Sequence, residues 1–243
     1  MNFIIPEIIC TIDNLYFKLN RKKFPKNFKL PEDFTVTYHA GAMHTKPNTL
    51  NSIQAALNKD AQIVEFDVSF RPDGTPVIIH NSEPNSNQGV LLESALTVVA
   101  KHPSCKINLD IKSTKNLAEV DLLVKKHGLW KRVFYTGVFE DWVEAVKNNS
   151  EVPYYLNHKI TPEEASDKSL AQSIANLTKK LGAIGINSHF ENASKLFSEV
   201  MHENGLFVSL WTVNKPKKMS EVLACSPDNI TTKRPALLRK IAK

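Results

Sequence analysis

From residue 35 onward, short runs of β-branched and aromatic residues alternate with segments of helical spacing, and this alternation constrains the fold more than any other feature. The runs fall at 35–39 (TVTYH), 62–70 (QIVEFDVSF), 76–80 (PVIIH), 106–112 (KINLDIK) and 132–139 (RVFYTGVF). Further runs fall at 152–156, 183–188, 206–213 and about 228–232. Helical spacing is found at 50–60, 89–102, 116–128, 141–149, 163–182 and 192–205. Strands that alternate with helices of this length imply a parallel sheet with crossover helices. About eight such units predict an α/β fold of the TIM-type (β/α)8 barrel, and 243 residues match the size of one such barrel. The run at 76–80 follows a tight Asp73-Gly74 turn, so it reads as an extension at the barrel mouth. An open flavodoxin-like or Rossmann sheet is the alternative; no Gly-rich phosphate loop supports it.

Residues 1–34 read as a separate N-terminal element, an amphipathic helix and basic linker, ahead of a barrel domain at 35–243. Ile8, Ile9, Ile12, Leu15, Tyr16 and Leu19 share one helical face, with Pro6 suited to a first turn. The segment 18–29 carries Lys18, Arg21, Lys22, Lys23, Lys26 and Lys29 and no acid, which accounts for the whole net charge of +6. Such a stripe is usually core, so the favoured expectation is a helix that covers the bottom of the domain, with a solvated linker after it. The alternative is an interfacial helix that rests, through residues 1–29, on an anionic membrane surface. Nucleic acid is not an expected partner, because the basic run is not interleaved with aromatics. No apolar run reaches the length of a membrane span, and no signal peptide is evident. The three cysteines are scattered and read as reduced thiols. A cytoplasmic location is expected, with peripheral membrane attachment as the variant.

Glu65 and Asp67 stand two apart on one strand and therefore face together, inward in a barrel. Two unpaired anions in a low-dielectric interior resist joint ionisation, and a divalent cation removes the conflict. Asp110 and Lys112, again two apart, offer a third oxygen ligand and a cation for an anionic substrate group. Carboxylates without cysteine suit one Mg²⁺ or Ca²⁺. The competing expectation is a set of interior salt bridges, which leaves three acids against one lysine. His39 and His80 close two runs at the same mouth and are candidates for acid/base chemistry. His158 and His189 also follow strand ends and are weaker candidates.

The segments "HAGAMHTKPNT", "EFDVSFRPDGTPVIIHN", "DIK", "WTVN" and "TTKRP" resemble, in the same order, the signature segments of glycerophosphodiester phosphodiesterases. The resemblance covers about residues 36–238. It implies a TIM-like barrel that hydrolyses a phosphodiester with a divalent cation. Position by position it implies that His39 and His80 are the catalytic acid/base pair and that Glu65, Asp67 and Asp110 are metal ligands. Lys112 then contacts phosphate and Trp211 lines the pocket. The chain departs from the pattern at Ala40 (arginine in the family), Asn81 and Thr232 (aspartate at both). Arg71, Lys46 and His44 are the nearby candidates to replace the arginine. Asp110 stands where the family has glutamate, and the resulting Asp-x-Lys resembles the related sphingomyelinase D type. The lid insertion is nearly absent, since "NSEPNSNQG" leads straight into a helical segment. The expected substrate is a small-molecule glycerophosphodiester, or a lysolipid if the sphingomyelinase D or lysophospholipase D likeness prevails, with a cyclic phosphate as product. A degenerate barrel used as a binding module is the non-enzymatic alternative.

Overall fold

The computed structural model describes residues 4–25 and 28–243, so Lys26 of the basic run lies outside the described residues. The chain begins with α1 (Ile4–Asn20) and reaches β1 (Thr35–Tyr38), α2 (Leu50–Leu57) and β2 (Ile63–Phe70). A short excursion follows, β3 (Pro76–Ile78) and β4 (Val90–Leu91), and leads into α3 (Leu92–Ala100). The alternation continues through β5 (Lys106–Ile111), α4 (Leu117–Lys126), β6 (Val133–Val138), α5 (Val143–Asn149) and β7 (Tyr154–Asn157). It is completed by α6 (Pro162–Ser166), α7 (Lys168–Leu181), β8 (Gly185–His189), α8 (Lys195–Glu203), β9 (Phe207–Trp211), α9 (Pro216–Leu223), β10 (Asn229–Thr232) and α10 (Pro235–Ile241).

Parallel pairing runs β1–β2–β5–β6–β7–β8–β9–β10 and returns to β1, so eight strands close a TIM-type barrel. β3 pairs antiparallel with β2 outside this circuit, as expected for an extension at the mouth. The region expected to lack a lid is a short loop, tied down by Arg71, whose Nε and Nη2 donate to the carbonyls of Gln88 and Gly89. It pairs β4 against β3 before helix α3 begins at Leu92, so the helix starts three residues later than the spacing predicts.

The strands divide their side chains by alternation. On β2 and β5, Val64, Phe66, Val68, Ile107, Leu109 and Ile111 point outward into the shell between barrel and helices, and all are fully buried. Cutting one of them, such as Leu109, to alanine would cost about 2–5 kcal/mol. The inward face is polar instead. Thr37, Ser209 and Asn229 form a hydrogen-bonded floor inside the barrel, with Thr37 Oγ1 and Ser209 Oγ donating to Asn229 Oδ1 at 3.1 and 3.2 Å.

Three expectations need correction. The helix predicted over 163–182 is two helices, because Asp167 adopts extended backbone and its carboxylate accepts from the N–H groups of Ser169 and Leu170, starting α7 afresh. α9 and α10 were not anticipated. α1 packs against α10 and the Ala42–His44 turn after β1, not across the bottom of the barrel. Moreover, most of its apolar stripe faces solvent: Ile8, Ile12, Leu15, Tyr16 and Leu19 are exposed, while Pro6 and Asp13 are buried and Ile9, Cys10 and Phe17 pack inward. No helix among the described residues is long and apolar enough to cross a membrane.

Candidate active site

The site grows out of the register between β2 and β5. Asp67 lies beside Asp110, and Glu65 beside Asn108, so the inward acids of two neighbouring strands converge. One oxygen from each of Glu65, Asp67 and Asp110 lies within 4.8 Å of the others, a cluster that could hold a metal ion. Each carboxylate is held from outside the cluster. Glu65 Oε2 accepts the Ala40 backbone N–H at 2.7 Å. Asp67 Oδ2 accepts from Asn48 Nδ2 at 2.6 Å, and Asp110 Oδ1 accepts from Thr136 Oγ1 at 2.9 Å.

Lys112 spans two of the acids, with Nζ 3.0 Å from Asp67 Oδ1 and 2.5 Å from Asp110 Oδ2. Burial pulls its pKa down, but Asp110 and Asp67 outweigh that and keep the ammonium well above the ordinary lysine range. The same balance governs Asp67: burial pushes its carboxyl up, while Lys112, Asn48 and His80 together bring it below its usual value. Glu65 has no ammonium in contact, and the Ala40 N–H with the more distant Lys112 only partly offsets its surroundings. Its burial, and the charges of Asp67 and Asp110, push its pKa well above the carboxylate range. The salt-bridge expectation is therefore met for two acids and fails for the third.

The histidines arrive by different routes. His39 follows β1, where its N–H donates to the Thr232 carbonyl at 3.1 Å and ties the strand end to β10. Its Nδ1 lies 2.6 Å from the Ala40 carbonyl oxygen and 3.9 Å from Glu65 Oε2. Burial lowers its pKa; the Ala40 carbonyl opposes this and the charge of Lys233 adds to it. His80 is brought back by the antiparallel turn, because the Ile79 N–H donates to the Asp67 carbonyl at 3.1 Å. Its Nδ1 lies 3.2 Å from Asp67 Oδ2, and its side chain is 80% exposed against 27% for His39.

His39, Glu65, Asp67, His80, Asp110, Lys112 and Trp211 all line one cavity of about 350 Å³. Trp211, at the end of β9, meets His189 edge-on with ring centroids 5.6 Å apart, which fixes its plane. His189 itself does not line the cavity, and His158 is engaged elsewhere, 2.8 Å from Glu164. Arg71, Lys46 and His44 do not reach it either. The departures from the family pattern are absorbed without orphaned groups: Thr232 Oγ1 donates to Asn214 Oδ1 and accepts the Arg234 N–H, and Asn81 closes a turn with Glu83.

Sequence reasoning missed four contributors. Asn48 and Thr136 position the acids; the Asn-Thr pair at 48–49 offered a signal, but it reads equally as a helix cap, and Thr49 does cap α2. Phe139 and Trp142 form an apolar wall of the cavity, with rings edge-on at 6.2 Å, and no sequence pattern singled them out.

Comparison with curated proteins returns no match. Solved structures do match. A glycerophosphodiester phosphodiesterase from Parabacteroides distasonis ATCC 8503 is 22% identical, with TM-score 0.68 over 86% of this chain and 97% of that one. A protein from Silicibacter pomeroyi DSS-3, assigned as a glycerophosphoryl diester phosphodiesterase, is 20% identical, with TM-score 0.71 over 86% and 92%. An Oleispira antarctica phosphodiesterase, in complex with the product sn-glycerol-3-phosphate, is 17% identical, with TM-score 0.69 over 91% and 98%. At these identities the likeness establishes the barrel. The sequence itself carries the rest: residues 39–87 and 82–237 match the glycerophosphoryl diester phosphodiesterase family, so the chain belongs to that family of phosphoric diester hydrolases.

Proposed function

We propose that the chain hydrolyses a glycerophosphodiester-type substrate to a phosphomonoester and an alcohol, with one divalent cation and two histidines. The observation that carries this reading is the seating of His39 against Glu65 and of His80 against Asp67 around a single acid cluster. The product held by the Oleispira antarctica relative supports the substrate class.

The residues fit a cation. Three carboxylates face the single ammonium of Lys112, and the upward push on Glu65 marks the charge that remains uncompensated. Glu65, Asp67 and Asp110 would hold the ion, and an all-oxygen set favours Mg²⁺ or Ca²⁺. When bound, it would neutralise charge on the phosphate as that group becomes five-coordinate. The chain's own groups do the proton work. The Ala40 carbonyl can only accept, so His39 Nδ1 carries the proton and Nε2 presents a lone pair. Its lowered pKa keeps the ring neutral near pH 7, as a general base on water requires. His80 is placed to serve as the general acid at the leaving alkoxide, since Asp67 Oδ2, 3.2 Å from its Nδ1, orients the ring at the cavity mouth. Lys112 holds a phosphate oxygen, and Trp211 lines the same cavity from β9.

One observation favours a second reading. Phe139 is 51% exposed and makes an aromatic wall with Trp142, and Trp211 adds a further ring to the lining from β9, which suits a lysolipid. A substrate hydroxyl would then attack in place of water and leave a cyclic phosphate.

The test is cleavage of glycerophosphocholine, glycerophosphoethanolamine, a lysophospholipid and an aryl diester, each with and without EDTA, beside His39→Ala. Glycerol phosphate from a small diester, lost on both EDTA and the substitution, supports the first reading. A cyclic phosphate from the lysolipid supports the second. Silence from folded, cation-loaded protein would sink both and leave a binding module.

A further inference from the structure

We infer that the outer face of α1, with the cationic segment that follows it, docks on an anionic lipid surface. On a helical projection Ile4, Ile8, Ile12, Leu15 and Leu19, joined by Tyr16, occupy an arc of about 120°. All are exposed, Leu15 at 56% and Leu19 at 75%. A separate arc of Pro6, Ile9, Cys10, Asp13 and Phe17 meets the barrel, so the helix is apolar or engaged on two sides and polar only on the third.

The helix cannot roll its outer face inward. Asp13 is buried, and its Oδ1 accepts from Arg234 Nε and Nη2 at 3.0 and 2.6 Å. Phe17 stacks on Phe24 with centroids 5.8 Å apart, and Cys10 meets Met43 through sulfur at 3.7 Å. Turning the stripe inward would break the Asp13–Arg234 pair and unseat Phe17 and Cys10 from their partners. The stripe therefore faces outward because the polar contacts beneath it are specific, and a contiguous exposed apolar face of this kind marks an interaction surface.

Charge selects the occupant. Lys18, Lys22, Lys23 and Lys29 are exposed at and beyond the C-terminal end of the stripe, Arg21 lies among them, and the segment 18–29 contains no acid. Both acids of α1 are already engaged, Glu7 by Lys59 at 2.5 Å and Asp13 by Arg234. A second copy of this chain would present the same cationic run and no free acid on the helix. An anionic bilayer offers what both halves of the surface need, apolar depth for the leucines and isoleucines and phosphate charge for the lysines. α1 also packs on the Ala42–His44 turn that follows His39.

This inference stands apart from the phosphodiesterase reading, because binding needs no turnover. The full chain is floated with vesicles of phosphatidylglycerol and phosphatidylcholine, and with phosphatidylcholine alone, at low and high salt; sedimentation velocity gives the oligomeric state. Two variants accompany it, Leu15→Ser with Leu19→Ser and Lys22→Glu with Lys23→Glu. Binding to the anionic vesicles only, weakened by salt and cut about tenfold or more by each variant with unchanged melting, supports the proposal. No flotation of folded protein, or flotation indifferent to both variants, overturns it. So does a wild-type dimer that the leucine variant dissociates, which would make the face an interface between copies.

Discussion

Asn48 and Asp67 hold each other twice: the Asn48 amide donates to Asp67 Oδ2 at 2.6 Å, and the Asp67 backbone N–H donates to Asn48 Oδ1 at 3.0 Å. Asn48 sits in the left-handed region at φ 53°, a conformation asparagine tolerates better than most side chains. The pair fixes both the rotamer of Asp67 and its distance from Lys112 and His80. Asn48→Ala removes both bonds at once. We expect cation affinity and kcat/KM each to fall about 10–100-fold with the fold retained, as for other groups that orient a ligating carboxylate. Calorimetric cation titration beside steady-state kinetics checks this; a variant that changes only melting temperature would make Asn48 purely structural.

Glu65→Gln tests the charge argument. It keeps the side-chain volume and the acceptor for the Ala40 N–H while removing one of three converging charges. Cation affinity should drop by at least about a hundredfold, beyond the loss of an orienting partner. The cation-free protein should respond in the opposite direction. The folded pKa of Glu65 lies above the unfolded value of 4.5, so its contribution to stability is present below that pH and lost as pH rises through the folded pKa. Cation-free wild type should therefore lose stability relative to Glu65→Gln between about pH 4.5 and neutrality. Parallel melting curves in EDTA across that range decide it, and curves that keep a constant separation would refute the assignment.

Alternation alone made the core of this site legible. Residues two apart on a strand share a face, so Glu65 with Asp67 and Asp110 with Lys112 were paired correctly before any register was known. What periodicity does not carry is the sense of a face. The stripe on α1 was real, yet its burial was decided by Asp13 and Arg234, which lie 221 residues apart in sequence. α9 and α10 are short, eight and seven residues, and were missed although each begins with proline at its first turn, a start signal that was available. Phe139 and Trp142 join the cavity only through barrel closure, and nothing local encodes that.

Gly137 is the backbone position on which the Asp110 geometry depends. It has φ 78° at a register shift on β6, and a Cβ there would press on the Ile111 carbonyl oxygen and come within 2.8 Å of Asp110 Oδ1. The first contact is with backbone, and the second is with a carboxylate already held by Thr136 and Lys112. Gly137→Ala should destabilise the fold by at least about 2 kcal/mol, from left-handed strain and overpacking together. It should also lower cation affinity, because Asp110 must move. Denaturant unfolding and cation titration measure the two effects; an unfolding free energy equal to wild type would show that β6 absorbs the methyl group.

His202 and Asp228 give a pH dependence separate from the site. His202 Nε2 lies 2.9 Å from Asp228 Oδ2, which also accepts the Val208 N–H and so ties α8 to the β9–β10 connection. The hydrogen bond to Asp228 raises the His202 pKa above its ordinary 6.5, and burial only partly opposes it. A raised folded pKa means that the contribution is complete below pH 6.5 and lost as pH rises through the folded value. The melting temperature of wild type should thus exceed that of His202→Gln by most at acidic pH. The gap should close towards about pH 9, where an imidazole is neutral. Melting series for both proteins, buffered on either side of neutrality, test the pair directly. A gap that widens with pH would mean that the neutral ring, donating to Asp228, is the form the fold prefers.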